Sequence, residues 1–221
     1  MGREQIRKKR DLARDRITKI ATKIFAEKGY QGGTFEDVAR QLDVTRTSLY
    51  YHVKNKEDLL KDICNNFMKV ALKNSKEILN SDLSAREKLQ EFIRDQVIAA
   101  ATRKELFIVL FEQANALNNK TFKKLKSQMR DYDQVLIKIL DQGVKEGIFK
   151  ISDIRLASFL ILGACFWTYR WFYPGGRLTP EQIADVVITL FENGYLDLSS
   201  SNDQPKHRHI KSKESGQGRQ R

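Results

Sequence analysis

Apolar positions recur at a helical period along nearly the whole chain. Ile17, Ile20, Ala21 and Ile24 follow the i, i+3, i+4, i+7 rule, and Phe25 widens the stripe. Gly29 then supplies a stop, which ends the first predicted helix near Lys28. Thr34-Phe35-Glu36-Asp37 has the T-x-x-D form of a capping box, in which the Thr hydroxyl and the Asp carboxylate satisfy orphan N–H groups. It opens a short helix, Phe35–Leu42, that buries Phe35, Val38, Ala39 and Leu42. Asp43-Val44-Thr45 leaves room only for a tight turn, and Asp tolerates the left-handed backbone such turns need. Thr45 caps a third helix, Arg46 to His52, and a fourth starts near Lys56 with Leu59, Leu60, Ile63, Phe67, Val70 and Ala71 as its apolar face. Two short helices on a three-residue turn, inside a three-helix unit, form a helix-turn-helix.

The same period continues through predicted helices at 56–80, 84–101, 104–117, 119–146, 153–172 and 180–197. Thr179 caps the last of these, with Pro180 at its first position. No alternating strand run occurs. The predicted fold is all-α, about nine helices, with an N-terminal helix-turn-helix domain joined to a larger C-terminal helical domain.

Composition narrows the function classes. In 221 residues, 41% are hydrophobic and 10% aromatic, which excludes a wholly disordered chain. The most apolar stretch, Leu156 to Tyr169, is bracketed by Arg155 and Arg170. It falls short of the roughly 20 residues that a spanning helix needs, so no membrane insertion is expected. Cys64 and Cys165 stand apart without CxxC spacing, which points to a reducing compartment and to no metal site. With no apolar leader at the N-terminus, a cytoplasmic protein is expected. No G-x-S-x-G, P-loop or H-E-x-x-H spacing occurs, and His52, His207 and His209 lack a partner set, so no catalytic residue is assigned and no enzyme is expected.

The net charge of +12 is unevenly placed. Residues 1–16 hold seven basic and three acidic residues, and 199–221 hold six and two, a net +4 in each. The organisation is therefore read as a basic N-terminal arm (1–16), a helix-turn-helix domain (17–60), a regulatory body (61–198) and a disordered basic tail (199–221). Basic arms on a nearly balanced globule point to a polyanionic partner, nucleic acid ahead of an anionic lipid surface.

The run Gly29-Tyr30, then Thr34 to Ala39, then Val44-Thr45-Arg46-Thr47-Ser48-Leu49-Tyr50-Tyr51-His52-Val53-Lys54-Asn55-Lys56-Glu57-Asp58-Leu59-Leu60 resembles the DNA-binding domain of TetR-family transcriptional repressors. One departure is Asp43, where the family usually has Gly. Gly143-Val144-Lys145-Glu146-Gly147-Ile148-Phe149 resembles a segment of the family's regulatory half. The last two helices with Trp171 to Pro180 between them resemble the subgroup that senses acyl-CoA thioesters in fatty-acid or sterol breakdown.

The resemblance implies a third helix lying in the major groove of palindromic double-stranded DNA, read by a homodimer. Arg46 is then the base-reading candidate, because its planar fork fits guanine O6 and N7 together. Thr47 suits a thymine methyl, and Tyr51 a base edge or sugar. Thr34, Ser48, Tyr50, His52 and Lys56 suit phosphate oxygens, which set register. Thr34 also fits as a helix cap alone, and Tyr50 as a packing residue.

For the body, the resemblance implies a pocket for a hydrophobic acidic effector such as an acyl-CoA, with no other cofactor. Candidates for the pocket are Phe107, Phe111, Phe166, Trp167 and Arg170, and Arg170 equally fits an arginine reaching the surface at a helix end. The last two helices imply the dimer interface. Ile161, Cys165, Phe172, Val187, Leu190 and Phe191 are its candidates, because small residues on that face let a partner helix approach. A competing reading is a helical adaptor whose basic arms bind anionic lipid.

Overall fold

The structure, a computed structural model, describes residues 3–193. Among them are nine α-helices and no strand. The reading head is built from α1 (Arg3–Gly32), α2 (Phe35–Leu42) and α3 (Arg46–His52). The body comprises α4 (Lys56–Leu79), α5 (Ala85–Thr102), α6 (Lys104–Ile108), α7 (Asn119–Lys145), α8 (Ile154–Trp171) and α9 (Pro180–Asn193). The expected tail at 199–221 lies outside the described residues.

The start of the expected arm is helical, so α1 runs on from Arg3 into the Ile17 stripe. Near its end, Gly29 breaks the helix at φ 73°, ψ 162°, a conformation that disfavours any residue with a Cβ. One more turn follows to Gly32. The capping box at α2 is complete: Thr34 Oγ1 accepts from the Asp37 N–H, and Asp37 accepts from the Thr34 N–H. Asp43 takes the left-handed position at φ 56°, ψ 48°, and its N–H closes on the carbonyls of Ala39 and Arg40. Phe35, Val38 and Ala39 are buried as expected, whereas Leu42 is only half-buried because it ends the helix.

In the body, α5 sits centrally and packs on α7, α8 and α9, while α4 spans from α1 to α7. The predicted helix at 104–117 is not continuous. Five α-helical residues are followed by a π turn, Val109–Gln113, and a 3-10 turn, Ala114–Ala116. The wider turn carries Glu112 and Gln113 to partners on α8 and α1. Gly143 lets the Phe149 ring close over the end of α7, where any Cβ would collide with that ring.

Candidate DNA-reading surface and regulatory cavity

The outward face of α3 is polar. Its one buried residue is Leu49, while Arg46, Thr47, Ser48, Tyr50 and Tyr51 are exposed, Tyr51 most of all at 77%. Arg46 is not free in solution. Its guanidinium pairs with Glu36 on α2, donates to Tyr50 Oη at 2.9 Å, and lies over the Tyr50 ring. That ring packs edge-on against Phe35, so Tyr50 is half anchor and half surface.

Thr34 takes the cap role its sequence also allows, and two other expected phosphate donors, His52 and Lys56, are half-buried. The Thr34 hydroxyl is used within the capping box, accepting from the Asp37 N–H at 3.1 Å and donating to Asp37 Oδ2 at 2.9 Å. His52 is half-buried at the end of α3, its Nδ1 covered by protein. Lys56 turns inward: its ammonium donates to the Gln31 carbonyl at 3.1 Å and sits 4.6 Å from the Tyr30 ring centre. Burial lowers the Lys56 pKa below the ordinary lysine value. The aromatic surface beside it holds the cation better than an open face would.

Arg14, expected in a DNA-seeking arm, pins α1 to α4. It donates to Asp62 at 2.5 Å, to Asp58 at 3.2 Å and to the His52 carbonyl at 3.4 Å. Hydrogen bonding to Asp62 raises its pKa despite partial burial.

Inside the body, Phe107 is fully buried at the centre of an aromatic cluster with Phe67, Phe111, Phe166 and Tyr169. Beside it lies a small cavity of about 30 Å³ lined by Phe67, Met68, Ala71, Gln96, Leu110, Phe111, Met129, Tyr132, Asp133 and Phe166. Phe111 and Phe166 are therefore wall residues, and Phe107 supports them from behind. The Tyr132 hydroxyl is buried with no hydrogen-bond partner among the described residues, and burial pushes its pKa well up. Sequence patterning gives no hint of Tyr132, because its α7 stripe, with Leu125, Val135, Leu136 and Ile139, reads as ordinary core.

Trp167 and Arg170 do not reach this cavity. Trp167 is 61% exposed, and Arg170 is exposed and paired with Glu112 at 2.6 Å. Tyr169 donates to the same Glu112 oxygen at 3.2 Å.

Of the six residues expected at the dimer interface, two lie in the core of the protomer. Ile161 and Cys165 are buried inside the protomer, against α5 and α7, where Cys165 is a thiol pushed up to about 12 by burial. Phe172, Val187 and Leu190 are half-buried, and Phe191 is exposed. The outward apolar face carries Leu156, Phe159, Leu160, Trp167 and Trp171, with Val186 and Phe191 beside it on α9. So large a surface on two neighbouring helices marks an interaction face.

Residues 17–63 match the family described as bacterial regulatory proteins, tetR family, and residues 82–195 match the tetracyclin repressor-like C-terminal domain. The chain is a TetR-family regulator. Membership makes it a DNA-binding transcriptional regulator of a family that binds operator DNA as dimers with small-molecule effectors, and displaces the lipid-binding adaptor reading. Among the described residues, no helix is long and apolar enough to cross a membrane.

Relatives of this regulator sharpen the comparison. It is 25% identical over 183 residues to the HTH-type transcriptional repressor KstR2 of Mycolicibacterium smegmatis, covering 82% of this chain and 89% of that one. It is 28% identical over 180 residues to the fatty acid metabolism regulator protein of Bacillus subtilis, covering 80% and 93%. Its fold is similar to that of AibR in complex with isovaleryl coenzyme A and operator DNA, with TM-score 0.73, 28% identity and coverage of 80% and 96%.

Proposed function

We propose that this regulator represses from a palindromic operator and is released when a hydrophobic acyl-CoA, or a closely related acid, enters its body. The observation that carries the reading is the apolar cavity lined by Tyr132, whose buried hydroxyl has no partner among the described residues. A buried hydroxyl without a partner is costly, and the uncharged thioester carbonyl of an entering acyl-CoA relieves that cost. The similarity to the fatty acid regulator of Bacillus subtilis and to AibR with isovaleryl coenzyme A supports the choice of ligand class.

The cavity is tied to the reading head by named contacts. Glu112 holds Tyr169 and Arg170 of α8, and the adjacent Gln113 accepts the Tyr30 N–H of α1 at 2.9 Å. A second tie runs from the Asn118 N–H to Glu57 at the start of α4, also at 2.9 Å. Expansion of the cavity pushes on the π turn and on α4, and so on the spacing of two reading heads in a dimer. A ligand shifts this equilibrium only as far as it binds the released conformer more tightly.

On the DNA, Arg46 reads base edges once it leaves Glu36, and Thr47, Ser48 and Tyr51 contact backbone and groove wall around it. The nearest test is fluorescence anisotropy on operator DNA titrated with acyl-CoAs and free acids of graded chain length. Release by at least one chain length supports the reading. Binding unaffected by the whole series removes the acyl effector and leaves the DNA-binding function standing.

A further inference from the structure

The cavity beside Phe107 has room for little more than a water molecule, so an acyl chain needs more space and a place for its polar end. A far larger cleft, about 390 Å³, lies between α1, α4 and the corner joining α5 to α6. That size falls within the range of small-molecule sites. Ile63, Phe67, Val70 and Leu106 give it an apolar floor. Thr18 and Thr22 on α1 add no free donor, since their hydroxyls donate back to the carbonyls of Arg14 and Thr18 at 2.9 and 2.8 Å.

The rim is different. Lys19, Lys23 and Arg103 line it, and none of them forms an ion pair among the described residues. Asp15 and Glu105 share the rim, so its charge balance is one net cation. An apolar floor under a locally cationic rim fits an amphipathic anion. Phe67 makes the connection, because its ring lines both the cleft and the internal cavity, edge-on to Phe107 at 5.1 Å. One turn along α4, Val70 faces the cleft while the next residue, Ala71, faces the cavity.

We propose that this cleft is the port and anchor of the effector: the chain of an amphipathic anion passes Phe67 into the aromatic body, and its anionic group stays between Lys19, Lys23 and Arg103. The inference rests on the acyl-effector reading above and adds a location and a route. It also supplies leverage. One wall of the cleft is α1, part of the reading head, so an occupant bears directly on the joint between head and body.

The test is calorimetric titration of the full chain with dodecanoyl-CoA and, separately, dodecanoate, without DNA. Two variants probe the port. Val70→Trp plugs the cleft from a partly exposed position, and Lys19→Gln/Lys23→Gln/Arg103→Gln removes the rim cations. The plug weakens binding about tenfold or more, and the triple variant weakens it and flattens its salt dependence. Stronger loss for dodecanoyl-CoA than for dodecanoate in the triple variant identifies the phosphates as the anchored group; stronger loss for dodecanoate identifies a carboxylate. If wild type binds and both variants bind equally well with unshifted melting, the port is overturned while the acyl reading stands. If wild type binds neither probe, both fall.

Discussion

The Tyr30 backbone N–H donates to Gln113 Oε1 at 2.9 Å, joining the end of the reading head to the π turn of the body across 83 positions of sequence. Gly29 makes the bond possible by breaking α1 and turning that N–H out of the helix. Gln113→Leu keeps the size of the side chain and removes the acceptor. Leaving a part-buried N–H unmatched costs about 1–3 kcal/mol. The expected outcome in denaturant unfolding is a lower midpoint, together with effector release that is weaker relative to wild type. Unchanged release with the lower midpoint would show that the bond stabilises the fold without carrying the signal.

Arg46 and Lys56 divide differently from the way their charges alone suggest. Arg46→Ala lowers operator affinity by about 1–3 kcal/mol and relaxes preference at one position per half-site. Glu36→Gln releases Arg46 from its partner and raises affinity for random DNA. Lys56→Ala, by contrast, lowers thermal stability and leaves the salt slope of DNA binding unchanged, because its ammonium is spent on Gln31 and Tyr30. A salt slope reduced by about one in Lys56→Ala would put that ammonium on a phosphate instead.

Asp37 gives the reading head an acid limit. Hydrogen bonds, chiefly from Lys28 and then Thr34, lower its pKa from 3.8 to about 2. A depressed carboxylate contributes stability that is fully present above its ordinary value and is lost as pH falls from there through the folded value. Carboxyl chemical shifts therefore place the Asp37 midpoint near 2, and Asp37→Asn removes part of the acid sensitivity of the head between 3.8 and 2. A midpoint at 3.8 would mean that the Lys28 contact does not persist in solution.

The outward face of α8 and the inward one respond oppositely. Leu160→Arg with Trp167→Glu splits the dimer in sedimentation velocity and leaves the melting of the protomer nearly unaltered, since both side chains are more than half exposed. Ile161→Ala leaves the dimer intact and lowers stability by about 2–5 kcal/mol, the range for truncating a buried aliphatic side chain. The reverse pattern would restore Ile161 and Cys165 to the interface.

Much of the reading head is legible in its residues alone. Caps announce themselves locally, so Thr34 with Asp37, Thr45 and Asp43 define α2, the turn and α3 from residues within a few positions of one another. The body is legible only as helices. Periodicity shows that α8 is apolar around much of its circumference but not which side meets α5, so Ile161 and Cys165, expected at the interface, lie in the core instead. The π turn at Val109–Gln113 leaves no trace, because an i→i+5 turn uses the same residue types as its neighbours. Lys56 turns inward for a partner, Tyr30, that only the folded chain brings beside it. Tyr132 becomes a site residue through the missing partner of its hydroxyl, which no sequence pattern records.

The central claim is a linked equilibrium between DNA and effector, and reciprocity tests it most directly. Dodecanoyl-CoA affinity is measured for the full chain alone and again saturated with an operator selected from random duplexes. The account predicts that the operator weakens effector binding by the same factor by which the effector weakens operator binding. An effector affinity that is identical with and without operator would contradict it.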